Sequence, residues 1–181
     1  MITTGKQFLF ADHSGDFDAA TAHDMERDDA TDVQLSLTGV ANGAGRQSAK
    51  ADLGNPRARL YSVIASIEFD AASTVGSTVD FYWGPSTLST AASGNPAELT
   101  GSDATYTGTT GGSLAQSVPM LQYIGSLILA DDVAPQPTIG PVGIFTPQER
   151  YGMLVVVNSG GQALEGDDIE MFISMSELVE D

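Results

Sequence analysis

From Val33 onward the apolar residues of this chain return at every second position, and that period decides what it can fold into. In "VQLSLT", Val33, Leu35 and Leu37 alternate with Gln34, Ser36 and Thr38. In "LYSVIASIEFD", Tyr61, Val63, Ala65, Ile67 and Phe69 share one face. In "TVDFYW", Val79, Phe81 and Trp83 stand together, with Asp80 and Tyr82 opposite. A period of two is the signature of a half-buried strand, and no stretch shows a sustained helical period. The expected strands are Val33–Thr38, Leu60–Asp70, Thr78–Trp83, Met120–Ala130, Tyr151–Asn158 and Asp168–Leu178. Phe172 breaks the alternation of Ile169, Met171, Ile173 and Met175 in the last of these. "TIGPVGIFT" reads as a further strand, placed at an edge by Gly140, Pro141 and Gly143. "SLAQSVPML" has room for one short helical turn. Seven or eight such strands joined by turn-rich loops predict an all-β fold, an antiparallel β-sandwich, with a jelly roll as one way of connecting it.

Two segments stand outside this pattern. Residues 1–32 read as an acidic N-terminal arm, extended or loosely helical, because 11–32 have few apolar positions and no period. Residues 33–181 read as a single domain, which suits a chain of 181 residues. Within it, about 84–119 form one long loop of Gly, Ser, Thr, Ala, Asn and Pro. A structureless loop of that length is uncommon in a compact domain, and its presence points to function. The reading takes it, with the arm, as a segment that lies on neighbouring subunits and orders on assembly.

Charge narrows the function. The formal net charge is −17, which disfavours direct binding to nucleic acid. Eight acids face two bases in residues 1–32, and fifteen acids face Arg150 alone in residues 61–181. Between them, Arg46, Lys50, Arg57 and Arg59 face only Asp52. This basic island is a candidate protein-docking site, since arginine forks pair with carboxylates on an acidic partner. The alternative is a solvated loop. Cysteine is absent, so disulfides, thiol nucleophiles and cysteine-ligated metals are excluded. The apolar run Phe8–Ala11 is too short for a secretory signal, and no stretch reaches the length of a membrane helix.

Catalytic patterns fail one by one. "GVANGAGRQSAK" places Arg46 and Gln47 where a phosphate-binding loop needs Lys and Ser or Thr. His13 and His23 lie among Asp12, Asp16, Asp18 and Asp24 without a recognised ligand spacing. There is no nucleophile elbow, and the carboxylate pairs Asp131–Asp132 and Asp167–Asp168 sit at expected strand ends. The reading is therefore no enzyme, no cofactor and no metal. Tyr82, Trp83, Tyr106 and Tyr123 suggest a carbohydrate platform, but Trp83 is in phase with the core. Tyr106, inside the long loop, is the candidate exposed contact.

The segments "LSLTGVANGAGRQSAKADLGNPRARLYSVIASIEF", "GSTVDFYWGPS", "GNPAELTGSDATYTG", "LQYIGSLILADD" and "VGIFTPQERYGMLVVVNSGGQALEGDDIEMFISMSELVED" resemble small virion structural proteins of tailed bacteriophages. The resemblance covers residues 33–181 and rests on whole segments, with no catalytic residues to carry over. It implies a β-rich particle component, located in the virion after assembly in the host cytoplasm. The leading expectation is a capsid decoration protein bound to the major capsid protein or another virion protein as a symmetric homo-oligomer, with a trimer favoured. The alternative is a tail, neck or baseplate component, with or without carbohydrate binding. Neither expectation involves a membrane or direct contact with nucleic acid.

Overall fold

The computed structural model describes residues 2–11, 27, 30–129, 137–166 and 171–180. Eleven strands follow one another among these residues: β1 (Ile2–Ala11), β2 (Thr31–Gln34), β3 (Gly45–Gln47), β4 (Ala51–Asp52), β5 (Leu60–Ile67), β6 (Thr78–Ser86), β7 (Ala104–Tyr106), β8 (Gln122–Ile128), β9 (Thr138–Phe145), β10 (Tyr151–Ser159) and β11 (Phe172–Glu180). Their pairing is nested. β6 pairs β8, β5 pairs β9, β3 pairs β10, and β1 pairs β11, all antiparallel. The chain is thus one long folded ribbon whose successive pairs fall alternately in one sheet and the other. Rolled up, it gives a first sheet in the order β2-β1-β11-β5-β9 and a second in the order β7-β3-β10-β6-β8. This is the connectivity of a jelly roll, with β2, β4 and β7 as additions. β2 runs parallel to β1 and departs from the otherwise antiparallel pattern.

The period-two faces meet between the sheets. Phe8, Phe10, Tyr61, Val63, Phe81, Trp83, Val156, Ile173 and Met175 belong to one buried cluster. Trp83 is 0% exposed, as its phase with Val79 and Phe81 predicts. Its ring stands 5.7 Å from that of Phe145 and lies over Gly152, where a Cβ would come within 2.3 Å of the indole.

The largest departure from expectation is at the N-terminus. Residues 2–11 are not part of an arm outside the domain. They form β1, an interior strand of the first sheet between β2 and β11. Phe8 and Phe10 are both fully buried. The sequence hides this strand because the apolar run is short and ends in an acidic segment. Of that segment, residues 12–26, 28 and 29 lie outside the described residues, as do His13 and His23. Arg27 touches down on β1: its backbone N–H donates to Gln7 Oε1 and its guanidinium to the Gly5 carbonyl.

Smaller differences have local causes. The expected strand Val33–Thr38 pairs only as far as Gln34, after which Leu35 and Leu37 are buried in irregular backbone that turns at Gly39. β5 stops at Ile67 and β6 runs on to Ser86. Phe172 breaks the alternation because it faces away from the main core, in a satellite cluster with Leu9 and Ala11, against which Ala30 packs. β9 is an edge strand, as its glycines and proline predict.

The long loop is not an extended arm. It folds back on the second sheet as a cover. Leu99 and Tyr106 join Leu121, Met153 and Val155 in a second buried cluster, with Leu114 and Val118 packed against it. A short helix, α1 (Leu114–Ser117), opens this return with a capping box in which Ser113 and Gln116 bond each other's backbone N–H. β10 is therefore buried on both faces, which accounts for its run of Met153, Leu154, Val155 and Val156.

Candidate functional site

The four residues of the basic island do not form one surface. Lys50 is an internal clamp. Its Nζ donates to Ser86 Oγ at 2.8 Å and to the carbonyls of Leu88, Thr90 and Ser93 at 3.0, 2.6 and 2.9 Å. Desolvation there holds its pKa below the ordinary lysine value. Arg46 pairs with Asp103 at 2.7 Å, tying β3 to the start of β7. Arg57 donates to the carbonyls of Gln148 and Glu149. Arg59 alone is exposed and has no hydrogen bond or ion pair among the described residues. Arg57 and Arg59 keep positive charge near the β9–β10 connection, while Arg46 and Lys50 are spent on holding the cover.

Tyr106 requires correction. It is 2% exposed, and its hydroxyl donates to the Ala97 carbonyl at 3.1 Å. Burial pushes its phenol pKa up. It anchors the cover from beneath, because β7 pairs with β3 and turns the ring toward Val155 and Leu121. Of the four aromatic residues considered for a carbohydrate platform, Tyr123 is the one that stands well out, at 55% exposure. Its ring lies 5.3 Å from that of Tyr82, and Ser126 Oγ links its hydroxyl to Asp80 Oδ1.

A different surface emerges from the register of β5 and β9. Ile144, Pro141 and Ile139 stand opposite Ser62, Ile64 and Ser66. Those three stand in turn opposite Ser176, Ser174 and Phe172 of β11. Inward residues of the same strands, Phe145 and Tyr61 among them, face the core, so these point away from it; Ser66, Ser174 and Phe172 are nevertheless buried, and the face is open on the β9 side. Ile139 is 58% and Ile144 62% exposed. No charged side chain stands in these positions, and residues 137–148 contain none at all. In a chain of net charge −17, this is an uncharged, partly apolar sheet face.

The face ends on a hollow of about 370 Å³ lined by Ala58, Arg59, Leu60, Thr146, Leu178 and Val179. Arg59 thus marks its rim. Just inside, Tyr61 donates to Glu177 Oε1 at 3.1 Å, and the Lys6 N–H donates to Glu177 Oε2. Burial and the Glu177 carboxylate push the Tyr61 phenol well above its ordinary range.

The same edge is closed toward the second sheet. Cβ atoms added at Gly125 and Gly143 would lie 2.1 Å from the Val142 carbonyl oxygen and 2.5 Å from that of Ile124, so β8 and β9 approach backbone to backbone. Sequence reasoning missed this surface because it read Gly140, Pro141 and Gly143 only as weakening a strand. The usable signal was the absence of charge from 137–148; that Ile139 and Ile144, five residues apart, share a face depends on the register shift opposite Val63 and Ile64, which strand alternation alone does not give.

Among the described residues, no group of three or more histidine, aspartate or glutamate side chains is placed to hold a metal ion. No described helix is long and apolar enough to cross a membrane. The chain matches no protein-family model, no curated protein and no solved structure.

Proposed function

We propose that this protein is a non-enzymatic structural component of a bacteriophage virion, a capsid decoration protein that binds the assembled head as a symmetric oligomer. The observation that carries the reading is the uncharged face of β5 and β9 on an otherwise strongly acidic jelly roll. Such a molecule stays dispersed through its charge and can dock through one neutral surface. Jelly rolls serve in virion shells and in lectins alike, so the fold supports a structural role without deciding it. The resemblance of residues 33–181 to small virion proteins supports the same reading. Symmetric copies would multiply weak contacts into firm attachment.

A second reading is a tail, neck or baseplate component with carbohydrate-binding capacity, favoured by the exposed Tyr123 ring beside Tyr82 and Asp80. Purified particles distinguish the two. Quantitative mass spectrometry should find the protein in hundreds of copies per head. A small multiple of three, six or twelve would reject the decoration role in favour of the tail. Absence from particles would reject both.

A further inference from the structure

We infer that the outer face of β6 and β8, at Tyr82, Tyr123 and Asp80, is a binding site for neutral oligosaccharides. The register sets Tyr82 opposite Tyr123 and Asp80 opposite Ser126. Tyr82 is partly buried against the cluster under the cover. Beyond it the sheet is open, and Tyr123 is the one exposed aromatic side chain among the described residues.

Three groups here suit a sugar. The first is the Tyr123 ring, a flat face of negative π density against which the C–H face of a pyranose stacks. That ring is already held in place, because Ser126 Oγ links its hydroxyl to Asp80 Oδ1. β8 is held as well, since Gly125 meets the Val142 carbonyl of β9 backbone to backbone. A held ring on a fixed strand loses little freedom on binding.

The other two groups are Asp80 Oδ2 and the Tyr82 hydroxyl. Neither has a hydrogen-bond partner among the described residues, and neither is sealed from solvent. A carboxylate oxygen accepts strongly from a sugar hydroxyl, and a phenol donates or accepts. Burial, Asp80 and Tyr123 push the Tyr82 pKa up, so this phenol keeps its proton to donate.

Charge narrows the ligand. A chain of net charge −17 with Asp80 in the site repels uronic and sialic acids, which leaves uncharged sugars. The polar groups argue against a protein partner. Met120 and Ile128, before and after Tyr123 in the chain, are exposed too. An apolar surface resting on all three would strand Asp80 Oδ2 and the Tyr82 hydroxyl away from water. Other surfaces lack the combination. Ile139 and Ile144 have no exposed ring beside them, and the polar hollow at Gln47, Glu98 and Thr110 has only the buried Tyr106.

The inference deepens the second reading by naming the site and ligand class of its carbohydrate-binding capacity. It rests on that capacity and on no location in the particle. The test is titration of isotope-labelled protein, read by amide chemical shifts, with cellotriose, triacetylchitotriose, maltotriose and mannotriose. Trigalacturonate is the anionic control. At least one neutral trisaccharide should move the amides of 78–82 and 122–128, with a dissociation constant of about 10 mM or tighter. Trigalacturonate should move none. Tyr123→Ala should weaken binding at least about tenfold, as loss of an aromatic anchor does. Tyr123→Phe keeps the ring and should stay within about fivefold of the parent, the scale of one hydrogen bond. Tyr82→Phe and Asp80→Asn should each weaken binding by a similar factor. Ile144→Ser, on the first sheet, should change nothing. If Tyr123→Ala unfolds, Tyr123→Thr makes the same test with a residue that suits a strand.

No shift with any neutral trisaccharide overturns the inference. So does binding that the Tyr123 variants leave unchanged, or binding in which trigalacturonate does best. Loss of particle attachment by Tyr123→Ala without any sugar binding would assign the patch to a protein and overturn it as well. Hundreds of copies per head and no sugar binding would reject the site and leave the decoration reading standing. Sugar binding by a protein absent from particles would keep the site and reject both virion locations.

Discussion

At the scale of single residues, the tightest constraint is the contact between Trp83 and Gly152. The indole is fully buried, and its Nε1 finds no hydrogen-bond partner. It therefore acts as a large apolar filler rather than as an anchor. Gly152 is what makes room for it, since any side chain there would enter the ring. Trp83→Ala should cost about 3–5 kcal/mol through lost burial and a cavity. Gly152→Ala should cost about 1–3 kcal/mol through overpacking, although it removes nothing. Urea denaturation checks both. A Gly152→Ala protein as stable as the parent would mean that the indole has another place to go. The alternation of Val79, Phe81 and Trp83 was enough to bury the tryptophan from sequence alone. The need for glycine across the sheet was not legible, because it depends on which strand β6 pairs with.

At the scale of elements, the polar stretch that looked like a free arm is a cover whose first turn is clamped by one lysine. Composition misled here for a physical reason. Gly, Ser and Thr tolerate disorder, but they also allow tight turns packed on a sheet, and only a few apolar residues are needed to fix them. Leu99, Tyr106, Leu114 and Val118 were those residues, and they are too widely spaced to give a period. β1 was hidden by its acidic sequel, while β5 and β6 were plain because each spans several alternations, β10 because of its run of valines, and β9 as an edge from its glycines and proline. The island at Arg46, Lys50, Arg57 and Arg59 was legible as a concentration of charge but not as separate jobs. Its partners, Asp103 and the carbonyls of 88–93, lie far away in sequence. Lys50→Met should remove the clamp at a cost of about 1.5–3 kcal/mol, the usual range for hydrogen bonds to a charged group. The loss should be local. Amide exchange should rise in 86–95 while β5, β6 and β10 stay protected. Uniformly faster exchange would show that the cover is not a separate layer. Unchanged exchange would show that Ser86 and Asn95 hold the turn without the lysine, through their own hydrogen bond.

At the scale of the whole molecule, charge and burial combine to set an alkaline limit. Three phenols, on different layers, titrate above the ordinary tyrosine value of 10.0: Tyr61 in the core, Tyr82 on the second sheet, and Tyr106 under the cover. Desolvation is the first cause in each case. A group whose pKa is raised by folding keeps its proton in the native state after the unfolded chain has lost it. The stability linked to it is complete below the unfolded value and drains away as pH rises through the folded one. Lys50 works in the opposite sense, since its pKa is lowered, but it is one group against three. Self-repulsion acts in the same direction as the phenols, because a chain already at −17 gains further negative charge as lysines deprotonate and tyrosinates form. Stability should therefore fall steeply above about pH 10. The two contributions can be separated. Salt screens repulsion between exposed charges but leaves the buried phenols unaffected. In high salt, the remaining alkaline loss should coincide with the appearance of tyrosinate absorbance, since the native state does not release those protons. Tyr61→Phe supplies the sharper readout. It should lower stability near neutrality, because Glu177 loses the phenol's hydrogen bond. It should also flatten the decline above pH 10, because one linked proton is gone. What decides is the slope, not the level. A variant that falls as steeply as the parent would mean that Tyr61 ionises freely in the folded protein, and the packing at the rim of the β5–β9 face would have to be looser than Phe8, Phe145 and Glu177 make it.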